Sequence, residues 1–417
     1  MILLWITNIL FPEAEQLLTD SGELKASGGW MLGAANALLQ KEGIKLYVAS
    51  VSNKVSSLVK LEGKKITYYV LPMGKGNQRV NNEYISYWKQ VKQEVLPDVV
   101  HIHGTEFSHG HAYMKACSCD NVVISIQGLT SAYYYYYYGM TKGDVYKNLT
   151  VRDLIRGTVI KGQKLFKQRG EYEKDMIRMA KHIIGRTSWD RARTWAINPD
   201  AAYHFCNETL RSDFYDGSVW DYNQCTKHSI FLSQAGYPIK GLHQVLKAMP
   251  IILRHYPDTT IRIAGGDITK SRTWLEKLRL SGYGLYIKRL IKQFHLEDKV
   301  LFTGNLNGAE MKQEYLRSNV FVCPSTIENS PNSLGEAQIL GVPCVASFVG
   351  GIADMMKGNE DNLYRFEEIE MLAEKVCRVF KNQDQQVDMK YEAAERHNVQ
   401  KNMEVLCDIY SSFNVND

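Results

Sequence analysis

Two glutamates in one short stretch have the spacing that most directly suggests chemistry. Glu328 and Glu336 have seven residues between them, and the intervening ENSPNS fits a tight turn that leads into a helix. A helix N-terminus offers free backbone N–H groups and the positive end of the helix dipole, which favour an anion such as a diphosphate. Carboxylates on either side can accept hydrogen bonds from sugar and ribose hydroxyls. A capped helix with two surface glutamates would have the same spacing, so spacing alone leaves both interpretations open.

Alternating strands and helices in the C-terminal half must position these residues. Short apolar runs rich in β-branched residues alternate there with stretches whose apolar residues recur at helical spacing. The predicted strands are 228–235, 259–266, 299–304, 319–325 and 343–348, and the predicted helices are 241–255, 271–294, 308–318, 333–340 and 367–380. Strands of this kind are buried on both faces, which predicts a parallel sheet in a doubly wound α/β domain. Ligands bind such domains at the carboxyl ends of the strands, and Glu328 follows a predicted strand.

The N-terminal half has the same pattern in a less regular form. Strands at 1–7 and 44–50 flank a helix at 30–41 and form a βαβ unit with it. Further strands are predicted at 66–72, 98–104, 121–128 and 182–187. A chain of 417 residues suits two or three domains. We therefore predict a Rossmann-like domain over 1–220, a second Rossmann-like domain over 221–382, and a helical extension over 383–417 that packs back on the first domain.

The stretch 324–347 also resembles a known signature. It reads PS-x-x-E-x-x-P-x-S-x-x-E-A-x-x-x-G-x-P-x-V-A-S and is followed by GGI at 350–352. This pattern is similar to the donor site of family-four retaining glycosyltransferases, and the resemblance extends over most of residues 228–356. The N-terminal half resembles the family only loosely. The resemblance implies an α/β GT-B fold, with two Rossmann-like doubly wound domains facing across a cleft and the active site between them. It also implies that the domain over 1–220 is on the acceptor side and that the domain over 221–382 binds the nucleotide sugar.

The resemblance also implies roles for individual residues of the C-terminal half. Glu336 matches the glutamate that binds the ribose hydroxyls, and Glu328 matches the one that contacts hydroxyls of the donor sugar. Lys240, in PIKG, matches the basic residue that holds the diphosphate, where it would neutralise charge on the leaving group without a metal. The backbone facing the sugar and phosphates would come from Ser330, Pro331, Asn332, Ser333 and Leu334.

In the N-terminal half the implied site residues follow the predicted strands. Gly28 and Gly29 match a glycine-rich loop after the first strand, where donor phosphates approach the backbone. Many family members have a histidine at the end of the strand 121–128, but Gln127 stands there in this chain. A glutamine can hydrogen-bond a sugar hydroxyl but cannot act as a general base. The neighbouring strand end HIHGTE offers His103 and Glu106, with His103 as the catalytic candidate, although a lone histidine at a strand end is more often structural than catalytic.

A second departure concerns the charge at the diphosphate. The family usually has an arginine a few residues before the lysine, but Gln234 or Ala235 stands at that place. Either the site works with less positive charge or another residue replaces the arginine. Arg186, in GRTSWDRA, is the candidate for that replacement.

The expected reaction is transfer of a hexosyl group from a nucleotide sugar to a glycan or lipid-linked oligosaccharide, in the synthesis of cell-surface polysaccharides or glycoconjugates. Uridine donors are the commonest in the family, so a UDP-sugar is expected, with no cofactor. Two other interpretations remain open. The chain could be another GT-B enzyme, such as a sugar-nucleotide epimerase, or an inactive protein that binds nucleotide sugars, since the arginine and the histidine are missing.

Aromatic and basic residues cluster in the middle of the chain. Six consecutive tyrosines, 133–138, precede a segment from 141 to 181 with 11 Lys/Arg against 5 Asp/Glu. This composition suits docking on an anionic membrane surface, and equally a solvated helix face over a packed aromatic patch. We expect membrane-surface contact through 133–181. No nucleic-acid-binding motif accompanies the charge, so we expect no nucleic-acid partner.

The N-terminus and the cysteines bear on location. The apolar run that ends before Glu13 lacks a positive leader and a cleavage site and is too short to span a bilayer, so it predicts a buried strand. The eight cysteines lack the paired spacing of a zinc site. We therefore expect no metal site and no disulfide framework. We also expect a cytoplasmic protein that is associated with the inner face of the membrane.

Overall fold

A computed structural model describes residues 1–19, 29–73, 82–157, 159–382 and 387–415. The chain divides into two compact units, each built around one β-sheet. Unit 1 comprises Met1–Ala132, Lys167–Ser212 and Arg396–Asp417, and unit 2 comprises Tyr133–Phe166 and Asp213–Glu395. The tyrosine run therefore lies in unit 2, and the C-terminal end of the chain lies in unit 1.

The sheet of unit 1 has the strand order β3-β4-β2-β1-β5-β6-β7-β8. All its neighbouring strands are parallel except the edge strand β3, which runs antiparallel to β4. Its strands are β1 (Ile2–Thr7), β2 (Lys45–Ser52), β3 (Val59–Glu62), β4 (Thr67–Pro72), β5 (Val99–His103), β6 (Val122–Ser125), β7 (His182–Gly185) and β8 (Ala202–Phe205). The central strands are buried along their length, as a sheet covered on both faces requires.

The sheet of unit 2 is parallel throughout, with the order β11-β10-β9-β12-β13-β14. Its strands are β9 (Thr226–Leu232), β10 (Thr260–Ala264), β11 (Val300–Gly304), β12 (Ser318–Cys323), β13 (Cys344–Ser347) and β14 (Leu363–Tyr364). This is the doubly wound order 3-2-1-4-5-6, in which the chain direction across the sheet reverses between the first and fourth strands. The reversal lies between β9 and β12, so a ligand crevice is expected at their carboxyl ends.

Helices separate these strands in both units. They are α1 (Pro12–Thr19), α2 (Gly29–Leu38), α3 (Asn82–Val95), α4 (Ser108–Ala116), α5 (Thr130–Tyr136), α6 (Lys142–Lys147), α7 (Val151–Arg156), α8 (Val159–Met179), α9 (Ser188–Trp195), α10 (Leu242–His255), α11 (Trp274–Arg279), α12 (Gly282–Gln293), α13 (Gly308–Arg317), α14 (Asn332–Ile339), α15 (Ile352–Met355), α16 (Ile369–Lys381), α17 (Val387–Arg396) and α18 (Val399–Ser411). α10 turns Leu242, Val245 and Leu246 into the core of unit 2, as its apolar spacing predicts. The prediction of α/β domains with parallel sheets is thus confirmed.

The predicted helix over 271–294 is wrong in one respect, because the structure breaks it into α11 and α12. Leu280 is extended between them, and the Ser281 hydroxyl accepts a hydrogen bond from the Gly284 N–H at 3.0 Å. A serine that caps a new helix competes with continuation of the preceding one.

Among the described residues, no helix is both long enough and apolar enough to cross a membrane.

Candidate functional site

Two loops of unit 2 leave the sheet side by side at the reversal point. One follows β9 and ends in a short 3-10 turn, Pro238–Lys240, before α10 begins. The other follows β12 and leads to α14. The Thr326 N–H donates to the Ile239 carbonyl at 2.8 Å, so the backbones of the two loops are joined. This contact places Lys240 beside the loop that carries Glu328.

Lys240 and Glu328 form an ion pair at this junction. The Lys240 ammonium donates to Glu328 Oε1 at 2.6 Å, and the Ser325 hydroxyl donates to the same oxygen at 2.9 Å. Both side chains are largely enclosed, with 20% of Lys240 and 10% of Glu328 exposed. Burial acts to lower the pKa of Lys240, but the Glu328 carboxylate and Tyr237 together outweigh burial and raise that pKa above its ordinary value. The ammonium therefore remains charged at physiological pH and can meet an anion.

Two glycines allow this close approach of the loops. Gly241, which follows Lys240, has a φ of +71°, and a Cβ there would lie 1.7 Å from the Pro324 carbonyl oxygen. Gly350 has a φ of +53°, and a Cβ there would lie 1.9 Å from the Glu328 carbonyl oxygen. The same oxygen accepts from the Gly351 N–H at 3.0 Å. Only glycine fits these positions, so the GG pair at 350–351 holds the backbone of Glu328 in place.

The predicted donor-binding helix begins where expected. Pro331 is the N-cap residue of α14, and no side chain caps the helix. Pro331 has no N–H, and the Leu334 N–H donates to the Pro331 carbonyl at 2.9 Å. Among the predicted residues 330–334, Asn332 and Ser333 therefore have the helix N–H groups that could donate hydrogen bonds to an anion.

Glu336 lies one turn into this helix. Its side chain is only 4% exposed, and the Tyr315 hydroxyl lies 3.4 Å from Glu336 Oε2. The same hydroxyl donates to the Ser333 carbonyl at 2.9 Å. Tyr315 thus fixes both the first turn of α14 and the carboxylate, a role that sequence reasoning missed. Lys240, Glu328, Glu336 and the start of α14 all border the reversal point of unit 2.

Gln127 and Arg186 lie in unit 1 and share one partner there. The Arg186 guanidinium pairs with Glu208 at 2.6 Å, and Gln127 Nε2 donates to Glu208 Oε1 at 2.5 Å. Arg186 also donates to the Gln127 carbonyl at 3.1 Å. The charge of Arg186 is thus balanced within unit 1, and its contact with a donor diphosphate stays a prediction. The role of Glu208 was not predicted, because nothing in the sequence around it indicates that it pairs with Arg186 or Gln127.

His103 ends β5 and is buried within unit 1. Its ring stacks on His101 at 3.7 Å and contacts Trp5 at 4.4 Å between ring centres. Burial lowers the pKa of His103 to about 3. A base that binds its proton so weakly is poorly matched to general-base catalysis near neutral pH. The ring borders a small cavity of about 50 Å³ that Arg186 and Glu208 also line, and its catalytic role stays a prediction.

The reversal point of the unit 1 sheet also brings polar groups together. It lies between β1 and β5, where the Asn8 amide donates to Glu106 Oε2 at 3.0 Å and the Gly128 N–H donates to Glu106 Oε1 at 3.1 Å. Burial raises the pKa of Glu106, and these hydrogen bonds oppose that rise.

Of the two glycines predicted to lie near the donor phosphates, Gly29 begins α2 and Gly28 lies outside the described residues.

A groove of about 680 Å³ adjoins the loop that carries Glu328, through Thr326. The residues of the tyrosine run are fixed beside it, since the Thr326 hydroxyl donates to the Tyr136 carbonyl at 3.0 Å and His243 Nε2 donates to the Gly139 carbonyl at 2.7 Å. Exposed rings and cations line the groove, among them Tyr135, Tyr136, Phe348, Lys142 and Arg365. Aromatic faces and charged groups therefore stand next to the Glu328 loop.

Residues 224–396 match the sequence model of the family described as Glycosyl transferases group 1. A glycosyltransferase of Methanocaldococcus jannaschii is 28% identical over 138 residues, which is 33% of this chain and 31% of that protein. The alignment thus spans about a third of the length of this curated relative.

Solved structures with the same fold align with nearly the whole chain. Sucrose-phosphate synthase from Thermosynechococcus elongatus has a TM-score of 0.69 at 14% identity, covering 100% of this chain and 99% of its own. HepE from Anabaena, in complex with UDP and glucose, has a TM-score of 0.63 at 15% identity, covering 99% and 100%. A trehalose-6-phosphate synthase studied for glycosyl transfer with retention has a TM-score of 0.62 at 10% identity, covering 99% of each chain.

Two α/β units with parallel sheets and these structural neighbours define the GT-B fold. The similarity to the group 1 glycosyltransferases is carried by residues 224–396, which include all six strands of the unit 2 sheet.

Proposed function

We propose that the protein is a retaining hexosyltransferase that uses a nucleotide-sugar donor. The observation that carries the proposal is the Lys240–Glu328 pair at the reversal point of unit 2, beside the N-terminus of α14, which no side chain caps, and the Glu336 carboxylate. A cation, free N–H groups and two carboxylates match the diphosphate, ribose and sugar hydroxyls of one ligand. The complex of HepE with UDP and glucose supports a UDP-sugar as the donor.

Each group has a part in the transfer. Glu336 accepts hydrogen bonds from the ribose hydroxyls, and Glu328 accepts them from the donor sugar. The bond between the anomeric carbon and the diphosphate oxygen breaks, and the electron pair leaves with the nucleoside diphosphate. Lys240 and the N–H groups of α14 stabilise that developing negative charge in place of a metal ion. The acceptor hydroxyl attacks from the same face and transfers its proton to the departing phosphate, which retains the anomeric configuration without a protein nucleophile.

The proposed acceptor is a glycan or a lipid-linked oligosaccharide, as in the synthesis of cell-surface polysaccharides. The groove beside the Glu328 loop supports this choice. A pyranose ring can cover its C–H face on an aromatic ring and leave its hydroxyls to Lys142 and Arg365. We also propose that the protein works at the inner face of a membrane, in contact with it through 133–181, because a lipid-linked acceptor resides there.

The test is a transfer assay with the purified protein in EDTA. Nucleotide sugars with different bases are incubated with and without a lipid-linked oligosaccharide extract, and released nucleoside diphosphate and the glycosylated product are measured. We expect release that depends on the acceptor, and NMR of the product should show the anomeric configuration of the donor. Inversion would refute retention. A new nucleotide sugar formed without acceptor would indicate an epimerase, and binding without turnover would indicate an inactive binding protein.

A further inference from the structure

Two short helices of unit 2 expose apolar side chains to an unusual degree. In α7, Leu154 is 77% and Ile155 is 76% exposed, and the one buried residue is Asp153. In α11, all of whose residues the structure describes, none is buried, and Trp274 is 68% exposed. An amphipathic helix that packs on a core has the reverse arrangement, with apolar residues buried and acids in solvent.

The two helices are held side by side by hydrogen bonds at their ends. The Thr150 hydroxyl, which precedes α7, donates to the Leu280 carbonyl at 2.7 Å, and the Gly282 N–H donates to Asp153 Oδ2 at 2.7 Å. Their exposed apolar residues therefore belong to one region, here called the α7–α11 surface, formed by Val151, Leu154, Ile155, Trp274, Leu275 and Leu278. Several exposed apolar side chains grouped on one protein surface are typical of an interaction site.

The charges around the α7–α11 surface are predominantly positive. The acids are turned toward the backbone, since Asp153 accepts from Gly282 and Glu276 Oε2 accepts from the Arg272 N–H at 2.7 Å and the Thr273 N–H at 3.1 Å. The cations face solvent, and within the described part of the chain no ion pair holds any of Lys147, Arg156, Lys270, Arg272, Lys277 and Arg279. Apolar side chains among exposed cations are the pattern of an interfacial membrane contact.

We propose that the α7–α11 surface docks on an anionic lipid surface, with the apolar side chains in the headgroup region and the cations against lipid phosphates. This inference rests on the membrane contact proposed above and specifies the residues that make it. It extends that contact to residues 274–279, outside the segment 133–181. Tyr137 and Tyr138 of the tyrosine run do not take this role, because Tyr138 is buried and the Tyr137 ring packs on Phe166 at 4.9 Å. Nucleic acid would account for the cations but not for the exposed aliphatic side chains.

The test is co-sedimentation of the full-length protein with vesicles, with no substrate present. Vesicles of phosphatidylcholine and phosphatidylglycerol in equal parts should bind the protein, pure phosphatidylcholine vesicles should bind it weakly, and added salt should release it. Replacing Arg156 and Lys277 with glutamine removes two cations, which should lower the partition coefficient about 30-fold. The double substitution Leu154→Ser with Ile155→Ser should lower it by at least about tenfold.

A tryptophan provides the matched control. Trp195 of unit 1 is 66% exposed, close to the value for Trp274, but lies outside the α7–α11 surface. Trp274→Ala should weaken vesicle binding, Trp195→Ala should not, and both variants should unfold at the wild-type temperature. Equal binding by all variants would overturn the proposal. The proposal would also be overturned if the wild type self-associated without binding vesicles and the apolar substitutions abolished that self-association. The α7–α11 surface would then bind a second copy of the chain. Nucleoside diphosphate release in detergent solution tests the proposed function separately.

Discussion

The Lys240–Glu328 pair permits a prediction that separates its part in folding from its part in donor binding. At 2.6 Å, two unit charges attract by roughly 6 kcal/mol at an effective dielectric constant of about 20, and desolvation offsets much of this. Lys240→Met leaves the Glu328 carboxylate enclosed, with the Ser325 hydroxyl as a remaining partner. Removing one partner of a buried pair costs about 3–5 kcal/mol, and partial exposure here reduces this to about 2–3 kcal/mol. The unfolding midpoint of unit 2 should fall by about 4–12 °C.

Adding Glu328→Gln to Lys240→Met should reverse most of this loss, because no unpaired charge then remains. Donor binding should behave differently. A hydrogen bond from a charged group contributes about 1.5–3 kcal/mol, so both variants should bind the nucleoside diphosphate roughly 10- to 150-fold more weakly. Calorimetric titration with nucleoside diphosphates and thermal unfolding of the same preparations measure the two effects.

Arg262→Met is the matched control. Arg262 pairs with Glu314 at 2.5 Å, with exposed fractions of 18% and 13%, close to those of the Lys240 pair, but the two residues belong to β10 and α13 and not to the two loops. This variant should lose stability and keep wild-type affinity for the nucleoside diphosphate. If the double variant regained affinity together with stability, or if Lys240→Met bound as tightly as the wild type, the assignment of Lys240 to the diphosphate would be refuted.

Three further predictions follow from the structure. Gly350→Ala should destabilise the fold by about 1–3 kcal/mol and lower the transfer rate, because its Cβ would meet the Glu328 carbonyl, whereas Gly358→Ala, with a φ of +82° and open space, should keep the rate. Since burial lowers the pKa of His103 to about 3, protons bind the unfolded state first as the pH falls below about 6.5, and stability is lost. His103→Phe should reduce that loss by about 1.4 kcal/mol per pH unit between about pH 6 and 4 in urea titrations, and an unchanged slope would show that His103 is not neutral in the fold. EDTA should leave the transfer rate unchanged, and restoration of a lost rate by a divalent cation would show that a metal takes part.

The C-terminal half was the more predictable part of the fold, for a physical reason. Its strands are buried on both faces, so their apolar runs stand out, and the glycines and prolines between them mark the turns. Lys240 and Glu328 are 88 residues apart, yet both could be placed at strand ends by resemblance, and parallel strands bring such ends together. The edge strand β3 was missed because its exposed, alternating residues carry little apolar signal.

Pairing between distant loops could not be read from the sequence. Arg186 forms an ion pair with Glu208, which lies on a different loop, and no local sequence pattern links the two residues. The helix over 271–294 was predicted without its break because apolar spacing continues across Ser281, whose capping hydrogen bond breaks it. The exposure of the apolar side chains of α7 could not be predicted either, since its Val, Leu and Ile residues would suit a buried helix face equally well.

The most direct test of the central claim is calorimetric titration of the wild type and Glu336→Ala with UDP in EDTA. The structure encloses Glu336 one turn into α14, where the Tyr315 hydroxyl holds its carboxylate. We predict that the wild type binds UDP and that the variant, which should still fold, binds it about tenfold or more weakly, because a charge-assisted hydrogen bond is lost. Equal affinity in both proteins, or no binding of any nucleoside diphosphate by the folded wild type, would contradict a nucleotide-sugar site at the reversal point of unit 2.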